Sequence, residues 1–188
     1  MKLPHIISIS GFPGSGKSEV QRILKDVYGV QPIDDGDPLR KFAIQRFGMS
    51  HDDVYTQEGK KRSTDILGKS WVNRKALGEL GNVLEATFGA HIMPFMATRN
   101  LDPALSYSFG SVRRDQGKFY KNMGGVAFGV ERPGTPPSPH EFDQFDRSVI
   151  DCWVINDGTL EDLAQSVALI LEMLQDPNAL SSNIRLVA

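Results

Sequence analysis

The sequence predicts an α/β fold: three layers, with a mainly parallel five-stranded sheet covered by helices on both faces. Three observations predict it. An apolar run, Ile6-Ile7-Ser8-Ile9-Ser10, breaks into Gly11-Phe12-Pro13-Gly14-Ser15-Gly16-Lys17-Ser18. Strand-like and helix-like patterns then alternate along the chain. The last strand-like run, Cys152-Trp153-Val154-Ile155, turns at Asn156-Asp157-Gly158 into an amphipathic segment that ends near Leu174.

After the glycine-rich stretch, Val20, Ile23, Leu24 and Val27 fall at helical spacing, with Gly29 as a stop. A short strand, Val30 to Ile33, precedes Asp34-Asp35-Gly36-Asp37-Pro38, where Asp37 is placed to cap a helix opened by Pro38. Leu39, Phe42, Ala43 and Phe47 form that helix's apolar stripe, and Gly48 ends it. Ser50 and Asp53 have the spacing of a capping box for a short helix. The polar stretch from Gln57 to Arg62 reads as a solvated loop. Leu77, Leu80, Leu84 and Phe88 predict a helix from Trp71 to about Phe88, although Gly78 and Gly81 within it each cost about 1 kcal/mol against alanine and suggest close packing or a nearby ligand.

Tyr107 to Val112 reads as the third strand and ends at Arg113 and Arg114, and Gly124-Gly125 turns the chain into the fourth, Val126 to Val130. Between Arg132 and Arg147 lie Pro136, Pro137 and Pro139, a flap over a site or an ordinary surface loop. Thr159 and Asp162 form a capping box for the final helix, whose apolar face is Leu160, Leu163, Val167, Ile170, Leu171 and Leu174. The tail beyond Pro177 reads as a peripheral arm. Residues 1-188 are expected to form one domain, with 132-147 as its lid.

With 188 residues, 21 basic and 23 acidic, the chain carries a net charge of −2. No broad surface for nucleic acid or an anionic membrane follows from that balance. The single cysteine, Cys152, excludes an intrachain disulfide. The N-terminal residues lead into the first strand without an apolar run suited to a signal peptide or membrane span, so a cytoplasmic location is expected. A homodimer is compatible with the sequence.

The stretch Gly11 to Ser18 fits the phosphate-binding pattern G-x-x-x-x-G-K-[ST] in the strand-then-helix context that the motif requires. Gly11, Gly14 and Gly16 allow successive amides to turn around an anion, and Ser15 lies among them. The helix N-terminus adds its dipole. Lys17 would reach the β- and γ-phosphates of ATP, and the Ser18 hydroxyl would ligate Mg2+. A glycine-rich turn that binds nothing is the bland alternative.

The whole chain resembles the deoxynucleoside monophosphate kinase family of P-loop phosphotransferases. The resemblance rests on the loop; on Asp37-Pro38-Leu39-Arg40; on Val112-Arg113 through Gly124-Gly125-Val126 to Val130-Glu131-Arg132-Pro133-Gly134; and on Ile155-Asn156-Asp157-Gly158-Thr159-Leu160. Arg74 with Leu80-Gly81-Asn82 and Glu85 forms a weaker block. The resemblance implies a P-loop kinase fold and magnesium-dependent transfer of the ATP γ-phosphoryl group to a nucleoside monophosphate.

Phosphoryl transfer needs a donor cradle and cations around the acceptor. Arg113 at a strand end and Arg74 on the central helix fit the acceptor phosphate, with a surface salt bridge as the competing role of each. Asp35 and Asp37 could orient the acceptor or hold magnesium through water, and Asp37 could instead cap its helix. Arg132, and Arg147 at the other end of the proline-rich stretch, could reach the transferring phosphoryl group. Asn156 and Gly158 could approach the adenine, or simply cap the final helix. Ser111 stands where the family usually has an aspartate, and Gln116-Gly117-Lys118 where it has a further acidic residue. Asp115 would replace the first only with a shift of register. Kinases of another small metabolite and a non-catalytic nucleotide-binding module remain open beside the nucleotide kinase.

Overall fold

The computed structural model describes residues 2–139 and 143–175 and, as strand backbone, 184–187. The chain packs as two compact units, one formed by 1–34 with 100–188 and the other by 35–99. The second unit is an insertion between the second and third strands that the sequence pattern predicts for the sheet.

The first unit contains β1 (Ile6–Ser10), α1 (Lys17–Tyr28), β2 (Gln31–Ile33), β5 (Tyr107–Phe109), α7 (Gln116–Asn122), β6 (Val126–Glu131), β7 (Cys152–Ile155), α8 (Leu160–Met173) and β8 (Ile184–Val187). The second contains α2 (Asp37–Phe47), α3 (His51–Tyr55), α4 (Gln57–Lys61), β3 (Ser63–Ile66), β4 (Lys69–Val72), α5 (Asn73–Phe88) and α6 (Ile92–Thr98).

The sheet of the first unit has the order β2-β5-β1-β6-β7-β8, and every pairing is parallel. Five strands are those that the sequence predicts, and β8 adds a sixth at the β7 edge, within the tail read as a peripheral arm. The rest of that arm, up to 183, lies outside the described residues. Ile7, Ile9, Phe128, Val130, Cys152 and Val154 alternate onto one face, where they meet Val20, Ile23 and Leu24 of α1 and Leu163, Val167, Ile170 and Leu171 of α8. The intervening residues face the other way: Ile6 lies beneath α7, and Ala127 packs with Val149 and Ile150. Burial on both faces explains why these strands read as continuous apolar runs. Both predicted capping boxes are present, at Ser50 with Asp53 and at Thr159 with Asp162.

The apolar stripes are shorter than the sequence pattern predicts. Val27 and Leu160 are exposed, because the ends of α1 and α8 overhang the core. Asp37 does not cap α2: Gly36 occupies that position, and Asp37 pairs instead with Arg40 at 3.0 Å. The stretch read as a solvated loop, 57 to 62, contains α4, capped by the Thr56 hydroxyl accepting from the Gly59 amide at 2.9 Å. Trp71 belongs to the β3-β4 hairpin rather than to the helix, which begins at Asn73.

The second unit has its own core, formed by Ala43, Met49, Val54 and Ala76 with Phe47, Trp71 and Leu77 against it. Asn73 is its buried polar pivot, donating to the Gly59 carbonyl at 2.9 Å and accepting from the Thr64 hydroxyl at 2.7 Å. A methyl at Gly59 would overlap the Asp52 carbonyl, whereas one at Gly78 meets no described atom within 4 Å. Opposite outcomes follow for the two glycines. Gly59→Ala is expected to destabilise the protein by about 1–3 kcal/mol through overpacking. Gly78→Ala is expected to stabilise it by up to about 1 kcal/mol through helix propensity. Thermal and urea unfolding of the two variants measure both.

Candidate functional site

Four strand ends build the site in the first unit. β1, β5, β6 and β7 run parallel, so the residues that follow them gather at one edge of the sheet, where open α/β sheets bind ligands. After β1 comes Gly11 to Ser18, after β5 comes Arg113, after β6 comes Arg132 and after β7 comes Asn156.

The loop is closely clasped. A Cβ at Gly11 would collide with the Val130 carbonyl and lie 2.7 Å from Ser15 Oγ, so β6 approaches as closely as a glycine permits. Gly16 has φ 105°, and a Cβ there would collide with the Asn156 side-chain amide. Asn156 Nδ2 donates to the Ser15 carbonyl at 3.0 Å, and the Asn156 amide donates to the Glu131 carbonyl at 2.6 Å. Asn156 therefore braces the loop from the end of β7. The amides of Glu19 and Val20 both close on the Gly16 carbonyl, while those of Lys17 and Ser18, ahead of them in the first turn, have no intrahelical partner. Ser15 Oγ is buried and makes no hydrogen bond among the described residues. Open amides at a helix start, an unmet buried hydroxyl and a lysine beside them fit a polyphosphate, and Ser18 in the same turn fits its metal ion.

Lys17 Nζ donates to the carbonyls of Gly11 at 2.7 Å and Phe12 at 3.0 Å. Burial lowers its pKa to about 8; the charge of Asp143 opposes that shift, Arg113 adds to it, and Asp34 opposes it. The structure thus brings Arg113 into the electrostatic environment of Lys17, together with two carboxylates that the sequence pattern did not single out. Asp34 was hidden among Asp35 and Asp37, and Asp143 in the proline-rich stretch. Neither has a local motif.

Arg132 is exposed and lines a cavity of about 410 Å3 with Phe12 and Ser15 of the loop, Pro137 and Phe145. Arg147 also lines it, but is engaged: it pairs with Glu131 and lies over the Trp153 ring at 4.3 Å. Arg114 exchanges backbone bonds with this segment, donating to the Gln144 carbonyl at 2.6 Å and accepting from the Asp146 amide at 2.7 Å. The end of the stretch read as a lid is therefore tied down, and 140–142 lie outside the described residues.

Asp35, Asp37 and Arg74 belong to the second unit. Asp35 is buried, Asp37 is paired with Arg40, and Arg74 is exposed and donates to Gln57 Oε1 at 2.7 Å. The described helices include none long and apolar enough to cross a membrane.

No protein-family model matches the chain. A protein of Acanthamoeba polyphaga mimivirus named "Putative deoxynucleotide monophosphate kinase" is 24% identical, covering 86% of this chain and 93% of the relative. The cytidylate kinase of Methanosarcina acetivorans is 38% identical over 60 residues, 32% of this chain and 33% of that protein. Dephospho-CoA kinase from Campylobacter jejuni superposes with a TM-score of 0.54 at 14% identity, over 90% of this chain and 96% of that one, and shows the fold alone. The resemblance is thus to nucleotide kinases by sequence, and the fold is one that dephospho-CoA kinase shares.

The lowered pKa of Lys17 has a consequence for stability. Below pH 8 the lysine is charged in both folded and unfolded chains, and burial of that charge opposes folding in full. As pH rises from about 8 towards 10.5, the folded chain loses its proton first and the penalty fades, so this residue's contribution to stability improves. Lys17→Met is expected to be more stable than the parent by about 1–3 kcal/mol at pH 7. The gap should narrow by pH 10, as followed by urea unfolding at each pH.

Proposed function

We propose that this protein transfers the γ-phosphoryl group of ATP to a nucleoside or deoxynucleoside monophosphate, in a magnesium-dependent reaction. The observation that carries this reading is the loop: Lys17 at a clasped glycine cradle, with a buried Ser15 hydroxyl and the open amides of a helix start. The names of the two curated relatives favour a nucleotide as acceptor. Arg113 at the end of β5 favours a phosphate on it.

In such a reaction an acceptor phosphate oxygen attacks the γ-phosphorus, the bond to the β-bridging oxygen breaks, and ADP leaves. The protein's part is positioning and neutralisation of charge. Lys17, whose ammonium rests on two carbonyls, exchanges them for phosphate oxygens of the donor. Gly11, Gly14, Ser15 and Gly16 supply the cradle, and Asn156 holds its shape. Ser18 would hold magnesium, which neutralises charge on the β- and γ-phosphates. Arg113 grips the acceptor phosphate through paired N–H donors, while Arg132 offers a cation from the rim of the cavity.

ADP formation across a panel of ribo- and deoxyribonucleoside monophosphates tests the reading. Turnover with at least one of them is expected. Lys17→Ala should lower kcat/KM at least about a hundredfold, because a charge aimed at the transferring group is lost. Nucleotide binding with no turnover across the panel would favour a non-catalytic binding module, which the serine at position 111 makes the specific rival.

A further inference from the structure

The peptide unit between Val112 and Arg113 is gripped at both of its polar groups. The Ser10 hydroxyl, on the last residue of β1, donates to the Val112 carbonyl at 3.4 Å, and the Arg113 amide donates to Gln116 Oε1 at 3.0 Å. In a trans peptide these two groups point in opposite directions, so one partner reaches it from the strand that carries the phosphate loop and the other from the first residue of α7. Gln116 closes the turn a second time, its own amide donating to the Arg113 carbonyl at 2.9 Å. Both partners are buried, Ser10 at 2% exposure and Gln116 at 3%. The start of α7 has no freedom to move: a Cβ at Gly117 would lie 2.7 Å from Val149 Cγ2.

A buried carboxamide opposes folding unless its polar atoms are bonded, and ordering a glutamine side chain costs rotamer entropy as well. What this one supplies is direction. With the carbonyl and the amide of the same peptide both held, the plane from which the Arg113 Cα–Cβ bond departs is fixed. A guanidinium that grips a phosphate through paired N–H donors tolerates little error in its approach. We propose that Gln116 is a positioning residue for the acceptor phosphate: its carboxamide oxygen, opposite the Ser10 hydroxyl, sets the backbone of Arg113 so that the guanidinium is aimed before the acceptor arrives. The proposal rests on the kinase reading and on Arg113 as the grip on the acceptor. It predicts that the acceptor, and not the donor, feels the loss of Gln116.

A double-mutant cycle tests it: the parent, Gln116→Met, Arg113→Ala and the two changes together, assayed by steady-state kinetics with the monophosphate that the panel turns over fastest. Gln116→Met keeps the length of the side chain and removes its acceptor oxygen. It is expected to lower kcat/KM for the monophosphate about tenfold, while KM for ATP with magnesium stays within about twofold of the parent. In the Arg113→Ala background the same change should cost less than about twofold, because the group it aims is gone while the amide it binds remains. Gln116→Ala repeats the cycle should the methionine variant not fold. A tenfold loss in both backgrounds overturns the proposal, since it would mark Gln116 as a structural prop of the turn. An equal rise in KM for ATP overturns it, and so do parent-like kinetics in a folded Gln116→Met protein. Each of these three results leaves the kinase reading standing. No turnover of any monophosphate by the parent protein would remove both readings.

Discussion

The first unit depends on how closely backbone approaches backbone at the carboxyl ends of its central strands. Gly11 leaves room for the Val130 carbonyl, and Gly16 leaves room for the Asn156 side chain. With any side chain at either position, β6 or the β7 turn would have to retreat. The loop would then lose the brace on the Ser15 carbonyl. Register supplies the rest: β1 lies between β5 and β6, and β7 pairs with β6, so the four strand ends of the site are fixed by the same hydrogen-bonded ladder that buries Ile7, Ile9 and Phe128. Core packing and site geometry are therefore one constraint rather than two.

That constraint places a charge where the folded chain would be more stable without it. Lys17 is largely desolvated, and its two carbonyl partners and the Asp143 field only partly compensate. Ser15 Oγ is a second uncompensated group in the same loop. A turn evolved for packing alone would have neither. Both deficits lie where an anion with oxygen acceptors would remove them, so the energetic faults of the loop and its expected ligand have matching chemistry.

Legibility in the sequence followed how local each determinant is. The β1-loop-α1 unit and both capping boxes were readable because each is settled within a few residues. The β3-β4 hairpin was not: its turn places Leu67 at φ 55° and Gly68 at φ 73°, and a leucine in that position gives none of the usual Asn-Gly signal. α4 was missed because its cap reads Thr-x-x-Gly, without the acidic residue of a capping box, and because Gly59 suggests a loop until Asn73 is seen bonded to its carbonyl. Asp37 followed a good capping rule and was displaced by one residue, its carboxylate taken by Arg40 and that arginine by the Tyr55 ring. The strand-end cations could be found by position after a strand. The charge of Asp143 near Lys17 could not, because its segment is tied to the turn after β5 by a pairing between Arg114 and Phe145, thirty-one residues apart.

That pairing is also where the backbone departs from its ordinary conformations. Arg114 has φ 46°, a left-handed value that costs a residue with a Cβ on the order of 1 kcal/mol or more. Two short backbone hydrogen bonds to Gln144 and Asp146, together with the Lys118 ion pair, hold it there. Relaxing Arg114 would break the bridge and loosen the contact of Phe145 with Phe12. A conformation maintained against its own preference, with backbone bonds to Gln144 and Asp146, ties the turn after β5 to the segment that seats Phe145 against Phe12.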